Sequence, residues 1–377
     1  MTAKSRLYLF LFLGFICGMA QGNYDWNDNP GDGTAEHPYQ ISTAEQLASI
    51  GSNADLLGKA FILVNDINMS GYTFDNSPIA PDTDQSDNGS MGENKFSGSF
   101  NGNGYRIRNL TISRSGSGFN IGLVGLTTSA PWEIKNLALR NVSINVGNTS
   151  DSVGALVGRA YGGTISSCYA TGSISGGSTC KYMGGLVGFA SAANISNCYN
   201  ECSVHNGPDS TYTGGAVGYL VASTARLDKC YSIGTVNSES DATSIGALVG
   251  GAFSGAQVND CYYLNTAGPN NIYGTARTAA QLKLQTTYTN WDFVDDTPGF
   301  WRMRLDKSDY PYLAWEFITT DFYADFRIDM QDYAEFSQSW QYDQNELEYN
   351  WLCDLNENGI IDAGDFRMFC DDWLVTY

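Results

Sequence analysis

Residues Asp354, Asn356, Asn358, Asp362 and Asp365 place oxygen-bearing side chains at positions 1, 3, 5, 9 and 12 of a twelve-residue stretch, with Gly359 at position 6 and Ile360 at position 7. This is the spacing of an EF-hand loop. Ca2+ takes about six to eight oxygen ligands, so a loop that holds it must wrap around the ion, with glycine at position 6 for the sharp turn and a backbone carbonyl at position 7 as a further ligand. Ile360 would supply that carbonyl, and Ile361 at position 8 is expected to pack inward. A helix opening at Asp365 carries Phe366, Phe369 and Trp373 on one face.

Thirty-three residues earlier the pattern recurs: Asp321, Asp325, Ile328, Asp329, Asp332, Tyr333, Phe336 and Trp340 match Asp354, Asn358, Ile361, Asp362, Asp365, Phe366, Phe369 and Trp373. Tyr323 replaces the oxygen ligand at position 3 and Phe326 the glycine at position 6, so this first loop lacks a ligand and its easiest turn. Asp321, Asp325, Asp329 and Asp332 are therefore a degenerate metal set, expected to bind weakly or not at all. The bland alternative is an acidic helical hairpin that only caps the rest of the chain.

Other chemistry has little support. Histidine occurs twice, at His37 and His205, far apart and outside any His-Glu-x-x-His or Gly-x-Ser-x-Gly arrangement. Glycan cleavage needs only two carboxylates and no motif. However, Asp151, Asp209, Asp228, Asp241 and Asp260 form no Asp-Asp pair and recur with no basic partner, and scattered exposed aspartate is the ordinary expectation. No catalytic residue is assigned.

The element that dominates the chain is a repeat. Ile-Gly-Leu-Val-Gly ends at Gly125, and close variants end at Gly158, Gly188, Gly218 and Gly250, at intervals of 33, 30, 30 and 32 residues. Cys168-Tyr169, Cys198-Tyr199, Cys230-Tyr231 and Cys261-Tyr262 keep the same beat. Such a period means stacked supersecondary units. Each holds short runs of Val, Ile, Thr, Ser and Tyr broken by Gly and Asn, without helical periodicity. The reading is one coil of a parallel β-solenoid per repeat, with Gly154, Gly184, Gly214 and Gly246 expected at tight corners where a strand starts, and Gly158, Gly188, Gly218 and Gly250 where it ends. Equivalent residues then lie about 4.8 Å apart in ladders. Leu156, Leu186 and Leu248 form one inward ladder and the four cysteines a buried stack. Strand alternation would then turn Tyr169, Tyr199, Tyr231 and Tyr262 outward as an aromatic column suited to sugar rings or protein partners, unless these rings only stack on each other.

The first twenty residues read as a secretory signal: Lys4 and Arg6, an apolar run from Leu7 to Ile16, and Gly18-Met19-Ala20. Cys17 lacks the preceding small residues of a lipidated cysteine, and no later apolar run would span a bilayer. Formal net charge is −20, or −22 without Lys4 and Arg6, which disfavours nucleic acid as a partner. Fourteen Asp or Glu against Arg327 and Arg367 give residues 318–377 a net charge of −12. In an oxidising compartment Cys353 and Cys370, flanking one loop and its helix, are the better disulfide candidates.

Ahead of the repeats, Ser42-Thr43-Ala44-Glu45 reads as a capping box opening a helix through Ile50, followed by a strand from Phe61 to Ile67 and a polar surface loop from Asp82 to Asn94. Gly33 to Ile50, Phe96-Ser-Gly-Ser-Phe100-Asn-Gly-Asn-Gly104, the recurrent Gly-x-Leu-Val-Gly, Thr278-Ala279-Ala280-Gln281-Leu282, Trp291-Asp292-Phe293, Trp301 and Tyr310-Pro311-Tyr312-Leu313 together resemble secreted bacterial proteins carrying the GLUG motif. That resemblance covers about residues 31–315. It implies a right-handed β-helix of the pectate-lyase-like type, some relatives being attached to immunoglobulin-cleaving proteases, and a scaffold or surface-binding role without a specified reaction. The tandem tail, with Asp at position 12, resembles a dockerin module, which implies calcium-dependent docking onto a cohesin-like partner.

The expected organisation is thus a signal peptide over 1–20, a mainly β right-handed parallel β-helix over 21–316, and a small α-helical dockerin-like module over 317–377. The expected function is a secreted or bacterial cell-surface, non-catalytic binding or scaffold protein that meets glycans or surfaces through the solenoid and docks with Ca2+ through its tail. A dockerin-tethered polysaccharide-degrading enzyme is the alternative, and a purely structural envelope protein the second.

Overall fold

The computed structural model describes residues 24–83, 94–129, 131–239, 241–293, 299–303, 310–316, 330–343, 346, 350, 353–355 and 359–373. The expected signal segment, residues 84–93 of the polar loop, the first expected calcium loop up to Asp329, and Asn356 and Asn358 of the second lie outside them.

The chain is mainly β, with a β-solenoid of about five turns and few helices. Three parallel ladders build the coils. Phe119–Ile121, Asp151–Gly154, Lys181–Gly184, Thr211–Gly214 and Thr243–Gly246 stack as one. Val124–Leu126, Val157–Tyr161, Val187–Ser191, Val217–Val221 and Val249–Ala252 stack as the second. The third runs through Glu133–Val146, Thr164–Gly176 and Tyr199–Asn206, and extends toward the N-terminus through Ser99–Asn101 and Ala60–Leu63. Register follows the repeat: Tyr169 pairs with Tyr199, Tyr199 with Tyr231, and Tyr231 with Tyr262.

Corners are turned by single residues in the left-handed region, and these too are in register. Asn136, Ser167, Asn197, Lys229 and Asp260 have φ between +49° and +52°. Thr149, Thr179, Asp209 and Asp241 form a second such set, and Asn120, Ser152, Tyr182, Tyr212 and Ser244 a third. Asn and Asp tolerate this region through local side-chain hydrogen bonds. At a left-handed bend within the third ladder, Asn109 Nδ2 donates to Asn68 Oδ1 at 2.9 Å and Asn141 Nδ2 to Asn109 Oδ1 at 2.6 Å.

This corrects the role expected of the repeat glycines. Gly154, Gly184, Gly214 and Gly246 end strands, and Gly158, Gly188, Gly218 and Gly250 lie one residue inside them, none with positive φ. They are glycine because main chain presses on them. A Cβ on Gly158 would come within 2.4 Å of Asn120 C and Ile121 N, and one on Gly188 within 2.4 Å of Val153 N.

The lumen is filled as the period required. Leu156, Leu186 and Leu248 are fully buried, with Ala216 in the fourth place, and Cys168, Cys198, Cys230 and Cys261 are buried free thiols. Burial pushes thiols such as Cys202 up, away from the reactive thiolate. Three local expectations shift. The first helix is Ala44–Ser49, and its capping box uses Thr43 and Gln46 instead of Ser42 and Glu45. Strand pairing breaks between Leu63 and Ile67. Asp82, expected in a solvated loop, is buried and accepts from Asn120 Nδ2 at 2.6 Å.

After the last coil, helix Ala279–Leu282 and the antiparallel pair Trp301–Arg302 with Tyr312–Leu313 belong to a closing strap, described over residues 279–293, 299–303 and 310–316. In the tail, helices Met330–Gln338 and Ala363–Trp373 bury Phe336, Cys353, Leu355, Ile361 and Phe369 together. Ile361 packs inward as position 8 required, and the Phe336 and Phe369 rings lie 5.2 Å apart. Cys353 and Cys370 are free thiols, so the disulfide expected there is not formed. No described helix is long and apolar enough to cross a membrane.

Candidate functional site

In the described part of the second acidic loop, residues 354–355 and 359–365, a turn and two side-chain-to-backbone hydrogen bonds are in place. Gly359 has φ +88°, and its N–H donates to Asp354 Oδ2 at 2.8 Å. Asp362 N–H donates to Asp365 Oδ2 at 2.9 Å, so position 12 anchors the backbone of position 9. Asp354 and Asp365 are buried, Asp362 is exposed, and Ile360 bridges to Asp343 as an isolated antiparallel pair. Asp332, from the first loop, is also buried. Among the described residues no three His, Cys, Asp or Glu side chains converge on one point. The donor set is all oxygen, which suits a hard cation.

The tyrosine column forms, but it is not the exposed face expected. Tyr169, Tyr199 and Tyr231 stack with centroids 4.5 and 5.0 Å apart and interplanar angles of 7° and 3°. All four rings point away from the lumen, yet Tyr169, Tyr199, Tyr231 and Tyr262 are only 1–5% exposed. The closing strap covers them with Leu282, Tyr288, Trp291, Trp301 and Leu313. Its tryptophans bond the left-handed corners: Trp315 Nε1 to Ser167 O at 3.0 Å, Trp301 Nε1 to Asn197 Oδ1 at 3.1 Å, and Trp291 Nε1 to Asp260 O at 2.7 Å. Tyr231 Oη donates to Pro311 O and Tyr199 Oη to Glu316 Oε2, both at 2.7 Å. The column is an internal seam, and as folded it has no room for a sugar ring.

Glu316 closes that seam. Its Oε1 also accepts from Leu313 N at 2.6 Å, and although part of the residue meets solvent, burial of the carboxyl pushes its pKa up to about 7, against the opposing hydrogen bond from Tyr199 and the charge of Arg106. The folded chain therefore holds a proton that the unfolded chain releases from 4.5 upward, so this group's contribution to stability falls as pH rises from about 4.5 to about 7. Glu316→Gln should remove that dependence. Gln can accept from Leu313 N while Tyr199 Oη, able to accept as well as donate, meets the amide. The variant should gain about 2 kcal/mol on wild type between pH 5 and pH 8 in urea unfolding; a gain that does not change with pH would refute the assignment.

A second aromatic cluster went unread in the sequence. Tyr182 and Tyr212, at left-handed corners of the first ladder, meet Phe189 and Tyr219 on the outer face of the second. Tyr182 lies 5.1 Å from Phe189, 5.4 Å from Tyr212 and 5.5 Å from Tyr219, and Tyr212 lies 4.4 Å from Tyr219. All four are partly exposed. The signal was available, since Phe189 and Tyr219 each follow a closing glycine and Tyr182 and Tyr212 recur at the 30-residue period. At the edge, Arg159 Nη2 pairs with Asp151 Oδ1 at 2.7 Å and its guanidinium sits 4.6 Å over the Phe189 ring. Asp151 therefore does have a basic partner, contrary to the expectation of solvated aspartates. The exposed His205 lies 3.7 Å from Glu239, on the outward side of a half-buried strand.

The comparisons with known proteins fit this architecture. The GLUG motif family matches at residues 149–175 and 179–204, two successive coils. Halomucin from Haloquadratum walsbyi is 34% identical over 154 residues, 38% of this chain and 2% of that protein. A candidate Gly-rich membrane protein from Evansella cellulosilytica is 37% identical over 135 residues, 35% of this chain and 14% of that protein. The chain thus spans a small part of the curated relatives it matches. The crystal structure of a candidate immunoglobulin A1 protease from Bacteroides ovatus superposes with a TM-score of 0.51 at 20% identity, over 76% of this chain and 94% of that one, a likeness of fold. The chain carries GLUG-motif coils within a β-solenoid of the kind seen in that structure.

Proposed function

We propose that this is an extracellular, surface-associated, non-catalytic scaffold, a right-handed solenoid that meets glycans or cell surfaces along its length and docks through a calcium-binding tail module spanning 317–377. The surface location is supported by the names of the relatives, a mucin and a membrane protein. The observation that supports the docking half is the pair of hydrogen bonds by which Asp354 and Asp365 hold backbone N–H groups five and three residues away. Asp354, Asn356, Asn358, the Ile360 carbonyl, Asp362 and Asp365 would hold Ca2+. The ion would supply the charge that lets three carboxylates share one loop and would order the tail for a cohesin-like partner.

Calorimetric titration of the full chain with CaCl2 tests this. One site is expected, abolished by Asp354→Ala and untouched by Asp321→Ala. No heat, or a site indifferent to Asp354→Ala, would overturn the calcium assignment. Reducing-sugar release from polysaccharides would instead favour the tethered-enzyme reading.

A further inference from the structure

With the tyrosine column sealed, the surface reading needs another face, and one exists. We propose that the partly exposed aromatic face of Tyr161, Tyr182, Phe189, Tyr212, Tyr219 and Phe253 binds uncharged polysaccharide, its sugar rings stacking on the aromatics across successive coils. This rests on the surface-binding reading above and names its ligand class and its location.

The rings are presented outward and held in place. Phe253, in line with Tyr161 on the second ladder, is 51% exposed. Gly251 stands where the ladder Arg159, Phe189, Tyr219 would place a fourth outward side chain, and a Cβ there would come 2.7 Å from Tyr212 Cδ1. The missing side chain lets the Tyr212 ring lie over the strand, so the four central rings form one contiguous tile. Pre-positioned aromatics bind at low entropic cost.

Polarity distinguishes this face from the buried seam. There the hydroxyls are spent on Glu316, Pro311 and Thr289. Among the described residues no protein group bonds the hydroxyls of Tyr182, Tyr212 or Tyr219, which leaves them to sugar hydroxyls. An aromatic body with a polar tip suits a ring with apolar C–H faces and a hydroxyl edge. Parallel coils repeat the platform about every 4.8 Å, so a ligand that is itself a chain of rings can engage several coils at once.

Charge decides which polysaccharide. Arg159 is neutralised by Asp151, and the two ladders and their corners otherwise offer Lys181 against Asp209 and Asp241. On a chain of net charge −20 this face offers nothing to a polyanion.

Affinity electrophoresis of the full chain through gels containing laminarin, xyloglucan or galactomannan, with polygalacturonate as the anionic control, tests the proposal. Retardation is expected in at least one neutral gel and not in polygalacturonate. Combined Tyr182→Ala, Tyr212→Ala and Tyr219→Ala should weaken retardation at least tenfold without shifting the thermal melt of the tryptophan fluorescence. Because that variant could lose its fold, nitration of the unmodified protein gives a second readout: the retarding polysaccharide should protect Tyr182, Tyr212 and Tyr219, while buried Tyr199 stays unmodified with or without it. Retardation that survives the triple variant, or binding without protection, would overturn this face and leave surface binding standing. No retardation in any neutral gel, or retardation in polygalacturonate alone, would overturn the ligand class, with the calcium titration unaffected.

Discussion

Gly218→Ala should cost about 3 kcal/mol or more, lowering the melting temperature by about 5 °C or more, although it adds a single methyl group to a β-rich chain. The new Cβ would lie 2.5 Å from Gly188 O, 2.6 Å from Tyr182 C and 2.7 Å from Met183 N. All three are main-chain atoms of the preceding coil, so no rotamer change relieves the clash, and the strands must separate. Coils in a solenoid are stabilised by their neighbours, so a gap at this level weakens the ladders on both sides. Gly116→Ala is the matched control: nothing lies within 4 Å of a Cβ there, and its effect should stay within about 0.5 kcal/mol. Thermal unfolding followed by far-UV circular dichroism compares the two, and equal melting temperatures would show that close packing is not why the repeat keeps its glycines.

The contrast between these glycines shows what the sequence made legible. A repeat period reports which residues stack, so the Leu156, Leu186 and Leu248 ladder, the inward cysteines and the outward turn of their neighbouring tyrosines were all readable. The same period is silent about why a residue is repeated. Glycine was read as a corner residue, whereas the corners belong mostly to Asn, Ser, Thr and Asp, with Lys229, Tyr182 and Tyr212 among them, and the glycines answer to main chain about thirty residues away. Exposure was also illegible. Tyr231 is buried by Pro311 and Trp301, and Tyr169 by Trp315, segments roughly 70–146 residues downstream whose contacts leave no periodic trace. The Asp151–Arg159 pair was missed because the corner between ladders folds an eight-residue separation into contact. In the tail, local spacing sufficed for Ile361 and Phe369, because loop and helix there are adjacent in sequence.

Trp301→Ala should detach the closing strap while leaving the coils folded. Trp301 is fully buried, 4.3 Å from Trp291 and 5.9 Å from Tyr231 by ring centroids, and its Nε1 holds Asn197. Removing a buried Trp costs about 3–5 kcal/mol, and here the cost falls on one short segment, whose other anchors, Trp291, Trp315 and Leu313, flank the lost ring. The coils have their own dry core of Leu, Ile, Val and Cys and share none of it with Trp301, so opening of residues 279–316 should be sub-global. Hydrogen exchange should show protection lost at Leu313 and at the strap's helix, with exchange at Val187 and Val217 unchanged. Loss of protection throughout the solenoid would mean that the strap nucleates the coils instead of sealing them. The same variant separates the two aromatic surfaces: once uncovered, Tyr199 and Tyr231 should become open to nitration. If polysaccharide retention by the Tyr182 and Tyr212 face stays as in wild type while the column opens, the seam serves stability, and recognition belongs to the face that the solenoid already leaves exposed.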